Sequence, residues 1–129
     1  LYKNAEKVLS TLKGQKCKLY LLSNAQKVFT MPELEIFGLD QYFKKIYISS
    51  EAGIKKPDPK FMMDLLSKEK IKKEKCVMVG NDIESDIKLA QACHMPAVLV
   101  NTFKYSSFEL ALKYDNKYPV INDLSELLP

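Results

Sequence analysis

The chain has 129 residues, 47% of them apolar and 28% charged, with a formal net charge of +4. That length suits one domain around one core, and the balance is that of a globular protein, not a disordered one. No apolar run approaches the ~20 residues of a membrane helix, no signal-peptide pattern opens the chain, and the mild positive charge suits a domain that handles small anions.

In chain order, Tyr2, Ala5, Val8, Leu9 and Leu12 recur at helical spacing and Gly14 follows as a stop. Cys17 to Leu22 reads as a short buried strand ended by Ser23-Asn24. Ala25 to Phe29 reads as helical, and Thr30 with Glu33 resembles a capping box for a second helix that Gly38 ends. Lys45 to Ser49 is the next strand, and Ser50 to Pro57 a loop. Asp58-Pro59 then caps a helix with Phe61, Met62, Leu65 and Leu66 on one face. Cys76 to Val79 is a third strand, Ile83 to Cys93 a helix, and Ala97 to Val100 a fourth strand. Beyond Asn101 the pattern weakens to a short helix at Phe108 to Leu112, a strand at Tyr118 to Ile121 and a last helix capped by Asn122.

This alternation predicts an α/β fold, a Rossmann-like parallel sheet with helices on both faces, occupying residues 1–129 as a single domain. Cys17, Cys76 and Cys93 lack CxxC spacing and read as small core residues in a reducing, cytoplasmic setting. The run from Lys68 to Lys75 interleaves acids with lysines and reads as a solvated helix end. With no zinc-finger, RRM or KH signature, no nucleic-acid partner is expected, and no membrane one.

In parallel α/β sheets ligands bind beyond the carboxyl ends of the strands, here just after residues 22, 49, 79 and 100. After the first strand, Ser23-Asn24 opens a helix, either as a phosphate cradle or as a plain cap. After the second, Lys56 precedes the stiff Pro57-Asp58-Pro59 unit. It is either an ammonium held against an anionic ligand or a solvated loop lysine. After the third come Asn81, Asp82 and Asp86. Asp82 fits a helix cap. Asp86 lies three after Ile83, three before Leu89 and seven before Cys93, inside the apolar stripe. A carboxylate there needs a cation or donors: a hard metal such as Mg2+, or pairing with the helix dipole or a lysine. His94 is the only histidine, and the cysteine beside it, Cys93, reads as a core residue, so a His-based mechanism has little support.

The stretches Leu21-Leu22-Ser23-Asn24, Gly53 to Phe61 with its Lys-Pro-Asp-Pro core, and Val79 to Ile87 resemble, in order, three of the four motifs of the haloacid dehalogenase (HAD) superfamily of hydrolases. The resemblance covers about residues 1 to 101. It implies a Mg2+-dependent phosphatase of a small phosphorylated metabolite. Ser23, Asn24 and Lys56 would bind the phosphoryl group, Ser23 and Lys56 with catalytic roles. Asp82, Asp86 and Asn81 would be the metal set. Asn81 stands where many relatives carry the first acid of the motif, and Asp82 takes that role through a one-residue shift. The first motif, a strand ending in Asp-x-Asp whose first Asp forms the aspartyl-phosphate, has no counterpart, since no two aspartates here are two apart.

With that motif and the cap domain absent, and Leu1 in place of Met, the chain reads as a fragment of a longer enzyme, inactive by itself. In the family the missing strand lies between those leading to Ser23 and Asp82. A missing N-terminal strand and cap segment, or another strand-pairing partner, is therefore expected. The alternative is a non-catalytic phosphate-ligand or protein-binding α/β domain. A phosphoacceptor receiver has the wrong motif order, and no GxGxxG or Walker A loop supports nucleotide binding.

Overall fold

The computed structural model describes residues 4–24, 32, 34–102, 104–106, 108–110 and 118–128. The chain forms two compact units, Leu1–Lys55 with Leu124–Pro129, and Lys56–Asp123.

In the first unit, helix α1 (Ala5–Gly14) buries Ala5 and Val8, the core side of its apolar stripe. Its closure extends past Gly14. The Gln15 and Cys17 amides both donate to the Leu12 carbonyl, and Lys16 takes a φ of +67°. Residues 15–17 are thus held by the helix end, and strand β1 (Tyr20–Ser23) starts three residues later than the apolar run predicts. It pairs in parallel with β2 (Lys45–Ile48), Tyr20 opposite Lys45 and Ser23 opposite Ile48. Gly38, at φ +67°, ends a helical stretch as predicted, with Leu39 donating back to the Leu34 carbonyl. The expected loop after β2 opens with one helical turn, α2 (Ser49–Ala52), which Gly53 closes at φ +69°. The predicted helix at 25–29 lies outside the described residues, as does the capping box at 30–33 apart from Pro32. The chain returns to this unit with a 3-10 turn at Leu124–Leu127, shorter than the expected last helix, that packs on α1 and buries Leu124.

The second unit opens with the Lys56-Pro57-Asp58 turn and helix α3 (Pro59–Glu69). Asp58 caps it by accepting from the Lys60 amide at 3.0 Å, and Phe61, Met62 and Leu65 are buried. Strand β3 (Met78–Gly80) precedes a π-helical turn at Ile83–Ile87 that runs into α4 (Lys88–Ala92). Strand β4 (Ala97–Val100) is the centre of a parallel sheet in the order β3-β4-β5, with β5 at Val120–Ile121. Ala97, Leu99 and Val100 are buried, as a central strand requires, and α3 packs against α4. Among the described residues β3 pairs with β4 alone, and Val79 on it is 38% exposed. The helix predicted at Phe108 to Leu112 is described only over 108–110.

Candidate functional site

Three short polar segments of the second unit converge past the carboxyl end of β3. Gly80 is the last residue of that strand. A Cβ there would overlap the Cβ, Cγ and Oδ2 of Asp86, so only glycine lets that carboxyl group lie against the strand end. The chain then turns through Asn81 and Asp82. The Asp82 side chain accepts from the Glu84 amide at 2.9 Å, the capping role its sequence position predicts.

Asp86 is 5% exposed, inside the apolar stripe where the sequence places it. Its Oδ1 accepts from the Lys56 ammonium at 2.5 Å, and Lys56 is itself only 11% exposed. Its Oδ2 accepts from the backbone amides of Asn81, at 3.1 Å, and Asp82, at 3.3 Å. Of the partners open to this buried carboxylate, the structure supplies a lysine and two backbone donors. The lysine is the one singled out after the second strand. A buried ion pair with these further hydrogen bonds holds both charges in one place.

The turn that carries this carboxylate departs from a regular helix. The Asp82 carbonyl accepts from both the Asp86 amide, at 2.9 Å, and the Ile87 amide, at 3.3 Å, which widens the first turn to a π-helical one. Such turns recur at functional sites, and this one carries Asp86 back over Gly80.

Asn81 donates from Nδ2 to the Thr102 Oγ1 at 3.0 Å, and its Oδ1 accepts no hydrogen bond among the described residues. Thr102 follows β4 within a turn organised by Asn101. The Asn101 Oδ1 accepts from the Tyr105 amide at 2.8 Å, and its Nδ2 donates to the Tyr105 carbonyl at 3.2 Å. Burial pushes the Tyr105 phenol above its ordinary pKa, opposed by a hydrogen bond from the Ile83 backbone and assisted by the charges of Asp82, Glu84 and Glu109. Sequence reasoning pointed to the segment after residue 100 but singled out no residue there. The available signal was its two polar residues, Asn101 and Thr102, immediately beyond a fully apolar strand.

Ser23 and Asn24 belong to the first unit. Ser23 ends β1 half-buried, and the carbonyl of exposed Asn24 accepts from the Ser49 Oγ at 2.9 Å, which ties the end of β1 to the start of α2.

The side-chain atoms past β3 that can ligate a metal are oxygens, of Asn81, Asp82 and Asp86, the kind a hard cation takes. Asp86 already uses three of its roughly four lone-pair directions. Among the described residues no three of His, Cys, Asp and Glu cluster. A cation here would rest on the second oxygen of Asp82, the Asn81 Oδ1 and waters, with at most one further lone pair from Asp86. That fits Mg2+, which keeps several waters and takes one or two carboxylates.

Parallel strands with helical returns, and polar groups gathered past the strand ends, define a Rossmann-like α/β protein. The chain belongs to the haloacid dehalogenase-like hydrolase family, whose family model matches residues 1–100. It is 31% identical over 124 residues to the glyceraldehyde 3-phosphate phosphatase of Pyrococcus furiosus, covering 96% of this chain and 51% of that protein. It is 32% identical over 101 residues to the phosphoserine phosphatase of Thermus thermophilus, covering 78% of this chain and 41% of that protein. A HAD phosphatase from Thermococcus onnurineus has the same fold, with a TM-score of 0.83 at 22% identity over 98% of this chain and 56% of that one. The chain spans about half the length of the curated relatives it matches.

Proposed function

We propose that this chain is the core portion, residues 1–129 as one domain, of a Mg2+-dependent phosphatase acting on a small phosphorylated metabolite. The buried Lys56–Asp86 pair is the single observation that carries the reading. An ammonium 2.5 Å from a carboxylate and 11% exposed cannot swing freely into solvent. A phosphoryl group meeting it meets a cation already desolvated and aimed, which is the kind of preorganised charge that stabilises a phosphoryl-transfer transition state. The names of the Pyrococcus and Thermus relatives, both phosphatases of small phosphorylated metabolites, support the substrate class.

In this reading Lys56 binds the phosphoryl oxygens, and Ser23 and Asn24 are phosphate-binding candidates on the family resemblance alone. Asp86 orients Lys56 and the Asn81-Asp82 amides. Asp82 and Asn81 hold Mg2+, with Asp86 contributing any remaining lone pair. When bound, the ion would neutralise charge on the phosphoryl oxygens. The nucleophile is an aspartate in a segment that precedes Leu1, and that segment supplies the strand that pairs with the outer edge of β3. The protein works in the cytoplasm. The free state of Cys17, Cys76 and Cys93 supports a reducing compartment, and among the described residues no helix is long and apolar enough to cross a membrane.

The test is hydrolysis of p-nitrophenyl phosphate and of a panel of small phosphate esters by the full-length protein. Turnover that needs Mg2+ and falls by about 100-fold or more in Lys56→Ala is expected. The 129-residue chain by itself should give none. A full-length protein that binds phosphate esters without turning any over would favour the non-catalytic binding domain instead.

A further inference from the structure

The residue at position 81 creates a difficulty that an acid there would not. A carboxylate offers oxygen whichever way it turns, but a carboxamide offers one oxygen and one NH2 group, and the wrong face repels a cation. Asn81 therefore needs a fixed orientation if its Oδ1 is to serve as a ligand. The structure contains the means to fix it. Nδ2 donates to the Thr102 Oγ1 at 3.0 Å, so Oδ1, on the other side of the amide, is turned away from Thr102 and accepts nothing among the described residues.

Thr102 is exposed and helps no core, yet the backbone carrying it is held at several points. Asn101 makes two reciprocal bonds to the Tyr105 backbone, at 2.8 and 3.2 Å, and its carbonyl accepts from the Lys104 amide at 3.3 Å with Lys104 at φ +54°. The turn after β4 thus meets the turn after β3 through the Asn81–Thr102 hydrogen bond.

We propose that Thr102 is a positioning residue of the cation site, its hydroxyl holding the Asn81 carboxamide with Oδ1 presented to the metal, and that Asn101 maintains the turn from which it does so. Thr102 touches neither metal nor substrate. The proposal rests on the reading of Asn81 and Asp82 as cation ligands.

Mn2+ binding to the full-length protein, followed by electron paramagnetic resonance titration, tests it without an activity assay. Thr102→Val is expected to weaken Mn2+ binding about tenfold, the usual effect of removing an outer partner of a metal ligand, while Thr102→Ser stays within about twofold. In an Asn81→Asp background, where orientation no longer matters, Thr102→Val should change binding by less than about twofold. A merely structural Thr102 would give the same loss in both backgrounds, and that result would overturn the proposal. So would Thr102→Val binding Mn2+ like its parent. Asp82→Ala separates the two layers. If it weakens Mn2+ binding while Thr102→Val does not, the positioning role alone fails. If neither changes binding, the cation is held elsewhere and both readings fail. Thr102→Ala is the second variant, and the metal-free melting temperature of each variant checks that the fold is kept.

Discussion

Helices α3 and the π-turn–α4 segment begin alike and end up different. Each is opened by an aspartate, Asp58 or Asp82, whose side chain accepts from the amide two residues on, at 3.0 and 2.9 Å. Each lays an apolar stripe into the core of the second unit, Phe61, Met62 and Leu65 in one, Ile83, Ile87, Leu89 and Ala90 in the other. α3 is regular throughout. The second carries a buried acid in its stripe and a widened first turn. Capping, which the two share, does not make the difference. The acid of the second meets a lysine 30 residues away and lies over a glycine with no side chain. A buried charge inside a helix therefore marks where a tertiary partner, not the helix itself, sets the geometry.

The largest effect should separate the acids within these two segments. Asp86→Ala leaves the Lys56 ammonium buried without its carboxylate and the Asn81 and Asp82 amides without an acceptor. An expected cost of about 3–5 kcal/mol in urea denaturation follows from breaking a buried pair on one side. A loss below ~1 kcal/mol would mean that Lys56 reaches solvent easily. Next comes Gly80→Ala, whose methyl group must displace the Asp86 carboxyl group, at about 1–3 kcal/mol. Gly14→Ala is its control. Nothing lies within 4 Å of a Cβ there, so that substitution should be neutral or stabilising by about 0.5 kcal/mol. If the two glycines respond alike, the close approach of Asp86 to β3 is not a constraint.

Smaller still is the loss of either cap. Asp58→Ala and Asp82→Ala should each cost about 1 kcal/mol in thermal or chemical unfolding, because each removes one amide acceptor at a helix start. The pair diverges in cation binding, which only the Asp82 variant should weaken. The smallest effect concerns thiol chemistry and leaves stability untouched. Burial pushes the Cys93 thiol above its ordinary pKa, the charge of Lys73 opposing, so less thiolate is present at any given pH, and the group is buried as well. Cys17 is exposed. Alkylation followed by peptide mass spectrometry should modify Cys17 first and Cys93 last, and Cys93 labelling should rise only on unfolding.

Much of the site was legible because the rules involved are local. The Pro59 helix start and its Asp58 cap follow from residue types at adjacent positions. The limits of β4 at Ala97 and Val100 follow from a pure apolar run between Pro96 and Asn101. Asp86 stood out because helical spacing alone puts it among buried positions. What stayed hidden depends on groups far apart in the chain. The late start of β1 follows from how α1 closes, the π-helical turn from where Asp86 finds its donors, and the role of Thr102 from the register that sets the end of β4 beside the end of β3.

The amino-acid sequence alone therefore determined the alternation of strands and helices, the family, and which polar residues stand at strand ends, because periodicity, capping and chain order are properties of neighbouring residues. Tertiary structure decided which of those residues meet. Lys56 found Asp86, Asn81 found Thr102, and the first turn after Asp82 widened to a π-helical one. A carboxylate or carboxamide takes its partner from whatever the fold brings within hydrogen-bonding distance, and that distance is not written in residue order.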